Sequence, residues 1–309
     1  NTSGDYIIKA YGFSDTSFSN PTLISSFYAL NDADVQKMAL SSDGSNLALG
    51  YTSGGVELLT SSNYLDGTAY TEDSSSDITI SVDALEALLD TNVNVTLQAN
   101  TDIIINVPIT TTGTGTLSLH AGRDVDINKS ISTSGNLAII ASDTSANNVV
   151  SAQRDSGTGD ILAAYESDGT TSISLSASDL DITLNNGSGV SNASMGNIEL
   201  ATITATTGTL QSANFSGSGA AVSDKAHDGT TSATVATTGS VSGLTLVGSD
   251  LALVNTAAFT SATIGAAKDA TVDYDLSGYL SSTMDVTDTS STAITESVTA
   301  AITEASSSS

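Results

Sequence analysis

Carboxylates are the reactive side chain this sequence carries in number. Asp and Glu total 34 against 7 Lys and Arg, with two His, no Cys and a formal charge of −27. Asp124-Val-Asp-Ile-Asn128 has the oxygen-rich opening of an EF-hand calcium loop. Lys129 and Gly135 stand where that loop needs Gly at position six and Glu at position twelve. Alternation explains the segment better, with Val125 and Ile127 inward and Asp124, Asp126 and Asn128 outward. Asp102 and Asp124 could form the carboxylate pair of a glycosidase, which needs about 5 to 10 Å between them and one raised pKa. Arg123, Lys129 and Arg154 are the basic groups open to a calcium-dependent lyase. Sugar clefts want aromatic walls, however, and beyond residue 75 the aromatic residues are Tyr165, Phe215, Phe259, Tyr274 and Tyr279.

His120 and His227 are isolated in sequence, and His120 ends an apolar segment, where an edge role fits better than ligation. No Ser-His-Asp set or phosphate loop is visible. Asn94, Asn192 and Asn214 open glycosylation tripeptides, which chance supplies in a chain so rich in Asn, Ser and Thr. The sequence therefore predicts no catalytic, cofactor-binding or metal residue. Weak calcium binding by Asp179 with Asp181, and by Asp273 with Asp275, stays open beside the reading of a solvated acidic face.

So acidic a chain repels phosphate backbones, which argues against nucleic acid as a partner. Absent cysteine removes disulfide scaffolds and thiolate metal sites. No apolar run reaches 18 residues, so no transmembrane helix and no membrane insertion are expected. The chain opens Asn1-Thr-Ser-Gly without Met, which fits a leader already removed.

The elements that would position these groups are short apolar strands. Val95-Thr-Leu-Gln98, Ile103-Ile-Ile-Asn106, Leu117-Ser-Leu-His120, Val125-Asp-Ile-Asn128 and Leu137-Ala-Ile-Ile140 recur at near-fixed spacing. Starts at 95, 117 and 137 are 22 and 20 residues apart, and starts at 103 and 125 are 22 apart. A strand repeat of about 20 residues predicts a stacked solenoid, whose turns share one core because none can bury its apolar face alone. The rhythm continues less strictly through Thr271-Val272, with shrinking side chains.

Residues 1–75 hold six of the nine tyrosines and three of the five phenylalanines, which suits a small, irregular core or a capping element. There, residues 35–50 predict a hairpin turning at Asp43-Gly44, and Val56-Glu-Leu-Leu59 predicts a further strand. Residues 71–76 are a polar break. Ala84, Leu85, Leu88 and Leu89 share one face of a short helix over 83–90, with Ser81 or Asp83 as cap. Ile294, Val298 and Ile302 hint at a helix over 283–303, whereas the Thr content favours strand. The last serines read as a loose tail.

Residues 78–140 resemble the filamentous haemagglutinin class of bacterial exoproteins. The resemblance rests on Ile80-Ser-Val-Asp-Ala-Leu-Glu-Ala-Leu-Leu-Asp90, Asn94-Val-Thr-Leu-Gln-Ala-Asn-Thr-Asp-Ile103, Gly115-Thr-Leu-Ser-Leu-His-Ala-Gly-Arg-Asp-Val-Asp-Ile-Asn128 and Ser134-Gly-Asn-Leu-Ala-Ile-Ile-Ala141. It implies a right-handed parallel β-helix, export across an outer membrane, and work as an adhesin or surface fibre. Relatives secreted through a dedicated partner carry Asn-Pro-Asn motifs, and here Asn20-Pro21 is followed by Thr22.

The expectation is an all-β protein: a right-handed parallel β-helix over 76–282, an aromatic-rich N-terminal β region over 1–75 as cap or assembly region, and a C-terminal cap and flexible tail over 283–309. Its expected function is non-catalytic and extracellular, a rigid rod self-associating end to end into a surface or matrix filament as a homopolymer. Rival readings are a monomeric cell-surface adhesin for glycans or host surfaces, and a β-helix polysaccharide lyase or hydrolase.

Overall fold

The computed structural model describes residues 6–13, 21–29, 35–40, 46–51, 56–60, 79–144, 147–150, 152–154, 156–186, 196–248, 251–277 and 284–305, with side chains from residue 79 onward. The chain forms two compact units, Asn1–Gly67 and Thr68–Ser309, dividing just ahead of the predicted polar break. The described chain is mostly strand.

In the first unit β1 (Tyr6–Phe13) pairs antiparallel with β2 (Pro21–Ala29). A three-stranded antiparallel sheet follows: β3 (Val35–Leu40), β4 (Asn46–Tyr51) and β5 (Val56–Thr60). The strands of the predicted hairpin and the third strand are present, and the turn expected at Asp43-Gly44 lies outside the described residues. The expected aromatic core lies outside the described side chains.

The second unit opens with helix α1 (Val82–Asp90), which buries Ala84, Leu85, Leu88 and Leu89 as the sequence predicts. Ser81 stands at the N-cap position, but its side chain makes no capping bond. Asn92 ends the helix with φ 66°. The Asn92 amide donates to Leu89 O and the Val93 amide to Leu88 O, so the last carbonyls are satisfied by a Schellman turn.

Three strands then repeat. β6 (Val95–Ala99), β7 (Ile103–Ile105) and β8 (Ile109–Thr111) are followed by β9 (Leu117–Ala121), β10 (Val125–Ile127) and β11 (Ile131–Thr133). Next come β12 (Leu137–Ala141), β13 (Ile161–Ala163), β14 (Ser174–Leu184), β15 (Ile198–Leu200) and β16 (Thr202–Ser212). Each pairs in parallel with its counterpart one repeat away. Parallel neighbours need a long crossover, and here the crossover is made of the other two strands.

The register piles like on like. Val95 faces Leu117, Leu117 faces Leu137, and Leu137 faces Leu180. Ile103 faces Val125, Val125 faces Ile161, and Ile161 faces Ile198. Ile109, Ile131, Leu175 and Ile203 form a third column. All these side chains are buried, while the residues between them point out. Removing each from water contributes about 1.5–3 kcal/mol. Turns are tight enough to require glycine: a Cβ on Gly135 would lie 2.1 Å from Gly115 O.

Beyond Ser212 the pattern changes. β17 (Ser216–Ser218), β18 (Ala221–Val222), β19 (Lys225–Ala226), β20 (Val235–Thr237) and β21 (Ser240–Ser242) are short, and β17–β21 and β18–β20 pair antiparallel. β22 (Leu244–Leu246) returns to the parallel sheet beside β15. β23 (Ala252–Phe259) and β24 (Gly265–Ser277) then pair antiparallel, as do β24 and β26 (Thr295–Thr303). β25 (Met284–Thr287) bridges the two styles, parallel to β16 and antiparallel to β24.

The parallel rhythm expected through residue 272 therefore stops being continuous near 212. Between β23 and β24 the reason is local: residues 260–264 are too short for a crossover and suffice only for a reversal. Residues 295–303 are strand, not helix. A four-residue spacing is also a multiple of two, so Val298 and Ile302 sit on one face of β26 together with the buried Ala300.

Candidate functional site

The five-stranded parallel sheet, ordered β22-β15-β13-β10-β7, carries most of the chemistry anticipated from the sequence. An aspartate precedes three of these strands. The Asp124 amide donates to Asp102 Oδ1 at 3.1 Å, the Asp160 amide to Asp124 Oδ1 at 2.9 Å, and the Asn197 amide to Asp160 Oδ1 at 2.5 Å. Each carboxylate thus fastens the backbone one repeat further along.

Adjacent strands are about 4.8 Å apart, so the stacked charges would repel. Arg123 offsets this for one pair. Its Nε and Nη2 donate to the two Asp102 oxygens at 2.8 and 2.5 Å, and Nε lies 3.2 Å from Asp124 Oδ2. Burial nevertheless pushes the Asp124 carboxyl up to about 6, helped by the neighbouring Asp102 charge and opposed by the Asp160 amide and Arg123. The two candidate glycosidase carboxylates are therefore together, and both hold the backbone or Arg123.

Asp126 faces outward from β10, in register with Ile104 on β7 and Leu162 on β13. Glu199 on β15 faces Leu162 from the other side. Burial raises the Asp126 pKa, and the charges of Asp102 and Asp160 add to it. Its Oδ1 is buried and has no hydrogen-bond partner among the described residues. Asp126, Ile127, Asn128, Leu162, Ala164, Tyr165 and Glu199 line a cavity of about 260 Å³ that opens to solvent. Around this face Ile104, Leu162 and Tyr165 are 53%, 38% and 40% exposed.

Asn128 Nδ2 donates to Asn106 Oδ1 at 3.0 Å, so the end of the calcium-loop-like segment is part of an amide ladder. Lys129 pairs with Glu166. Arg154 donates to the carbonyls of Gly122 and Gly157. His120 Nδ1 lies 3.2 Å from the fully buried Asp143, which also accepts from the Thr144 amide and Asn147 Nδ2. This His–Asp contact was invisible in sequence because 23 residues separate the two.

Asp179 and Asp181 accept the hydroxyls of Thr207 and Thr209 at 2.5 Å each. Asp275 lies opposite Asp285 and two residues from Asp273. Burial and both of these charges raise its pKa. Among the described residues no three His, Cys, Asp or Glu side chains are grouped to hold a metal, and no helix is long and apolar enough to cross a membrane. Asn94 accepts the Thr116 amide and Asn214 Nδ2 donates to Gly196 O, while His227 lies just after β19. Asn192 lies outside the described residues.

Leu162 and Glu199 belong to no motif in the sequence, and Tyr165 enters the sequence reading only as one of five aromatic residues beyond residue 75. The outward middle residue of each three-residue strand was the signal that could have marked Leu162 and Glu199.

No protein-family model, curated protein or solved structure matches this chain.

Proposed function

We propose that the three parallel ladders are the faces of one right-handed β-helix, and that the protein is a non-catalytic, extracellular structural rod. One observation carries this reading. Leu, Ile and Val stack in register through the parallel strands, while side chains facing out are bonded from one repeat to the next. Such a scaffold is stiff along one axis, because each repeat touches its neighbours through an unbroken ladder.

Assembly end to end is supported by the outermost strands of the five-stranded sheet. β7 and β22 each pair on one side only in that sheet. Seating β22 of one copy on β7 of the next would continue the column of Ile103, Val125, Ile161, Ile198 and Leu244. A non-closing join of this type gives a filament.

The elements beside these edges limit the join. Helix α1 covers β8, where Glu86 Oε1 accepts the Thr110 amide and Asp90 Oδ1 accepts those of Thr112 and Gly113. At the other end β25 leads into the antiparallel strands.

A second reading, a monomeric surface-recognition rod, is favoured by the outward face bearing Ile104, Leu162 and Tyr165 beside carboxylates. Electron microscopy of the purified chain separates the two. Fibres with a repeat near 4.8 Å along their axis support assembly. Isolated rods remove assembly and keep recognition, and round particles remove the rod itself. Turnover of acidic polysaccharides would overturn the non-catalytic reading.

A further inference from the structure

We infer that the cavity between Asp126 and Glu199 receives a lysine or arginine side chain from a cationic partner protein. This deepens the surface-recognition reading above and rests on it. Four observations converge on the site.

The first is size. At about 260 Å³ the cavity falls below the roughly 300–1,000 Å³ of sites for drug-sized ligands, which is room for one side chain. The second is charge. Its lining includes two carboxylates and no cation. By register Asp126 and Glu199 sit two strand spacings apart, about 9.6 Å, on either side of Leu162.

The third is the unmet acceptor. Asp126 Oδ1 has no donor among the described residues, and a buried acceptor left unpaired is unfavourable, so an N–H brought to it is favoured. The raised pKa of Asp126 reports the same desolvation. The fourth is the wall. Leu162 and Tyr165 offer an apolar surface for an alkyl stem and an aromatic face for its charge.

The chain's own described cations are engaged elsewhere. Arg123 holds Asp102, Lys129 holds Glu166, Lys225 holds Asp228 and Lys268 donates to Thr263, while Arg154 donates to backbone carbonyls. A second copy is a poor donor, since it brings these same engaged cations.

The test uses an acetylated tetralysine amide, titrated into the full chain at physiological ionic strength and followed by calorimetry. Three variants are compared with the parent. D126N/E199Q removes two charges inside the cavity, and D269N/E304Q removes two from exposed positions outside it. Tyr165→Ala alters an exposed wall residue, so it tests the site even if the first double variant fails to fold.

Binding should weaken by roughly tenfold in D126N/E199Q, several-fold in Tyr165→Ala, and less than twofold in D269N/E304Q. Equal weakening by both double variants, or no peptide binding by the parent, overturns the inference. So does a dimer of the parent that Tyr165→Ala dissolves, since a second copy would then be the occupant. A neutral oligosaccharide that binds the parent and not Tyr165→Ala, with no peptide binding, overturns the cationic ligand alone and leaves surface recognition standing. Failure of both ligands on a rod seen by microscopy removes recognition as well.

Discussion

Residues 82–212 and residues 216–303 are both built of strands, yet they secure them differently. In the first segment hydrogen bonds reach about one repeat along the chain. Asp90 to Thr112, Asn92 to Thr114, Asn94 to Thr116, Asn106 to Asn128 and the buried hydroxyls of Thr111 and Thr133 are all 22 residues apart. In the second they are mostly local. Asp288 accepts amides two and four residues on, and Asp228 accepts that of Thr230.

Longer ties exist there too, as where Asp224 accepts the Ala301 amide, but they follow no fixed spacing. Tyr274 donates its hydroxyl to Glu296 at 2.5 Å, and Glu296 also accepts the amides of Gly219 and Ala220. The Tyr274 ring fills the space that a Cβ on Gly217 would need, 2.3 Å from Cε2. Burial and Glu296 push the Tyr274 hydroxyl pKa up, and the same bond draws that of Glu296 down. The difference teaches that repetition distributes stability along a chain, while hairpins concentrate it at single anchors.

The sharpest way to break this contrast is Leu119→Ala. Leu119 is fully buried in the column of Leu97, Ile139, Ile182 and Leu210, and its truncation should cost about 2–5 kcal/mol in urea unfolding. A loss below about 1 kcal/mol would mean that the column does not carry the segment. Gly135→Ala forces a methyl into the neighbouring turn and is expected to cost about 1–3 kcal/mol by the same measurement. A neutral result would show that these turns are looser than drawn.

Tyr274→Phe should cost about 1 kcal/mol, and hydrogen exchange should speed up over 216–303 while 95–141 stays protected. Loosening of both segments together would erase the boundary between them.

The smallest expected effect is a pH slope, to which Asp275 in β24 also adds because burial and its charged neighbours raise its pKa. Asp124 titrates near 6 in the folded chain against 3.8 ordinarily. The folded state therefore binds this proton more tightly. The resulting stabilisation is complete below about pH 4 and is lost as pH rises through about 6. Asp126 is shifted the same way. Asp90 is shifted the other way by the Thr112 and Gly113 amides, so its contribution fades only as pH falls below about 4. The melting temperature should drop modestly between about pH 4.5 and 7, and Asp124→Asn should flatten that slope. A rise over this range would contradict the desolvated aspartate column.

The regular part was legible because large β-branched and leucine side chains recur at a period that only stacking satisfies, and α1 because four apolar residues mark one helical face. Direction was not legible after Ser212. Strands of Ala, Thr and Val alternate identically whether a neighbour runs parallel or antiparallel, and only loop length tells them apart. The cavity was hidden for another reason. Asp126, Leu162 and Glu199 are 36 and 37 residues apart, because segments such as 142–160 interrupt the period of about 20 that would have aligned them.

The ladder of side chains that accept backbone amides also has an arrow. Asp90, Asn92, Asn94, Asp102, Asp124 and Asp160 all receive from residues later in the chain. A side-chain oxygen waiting in water loses nothing, whereas a backbone amide shut away without an acceptor is penalised. In a chain that emerges amino end first, each receptor is therefore made before the group that cannot do without it.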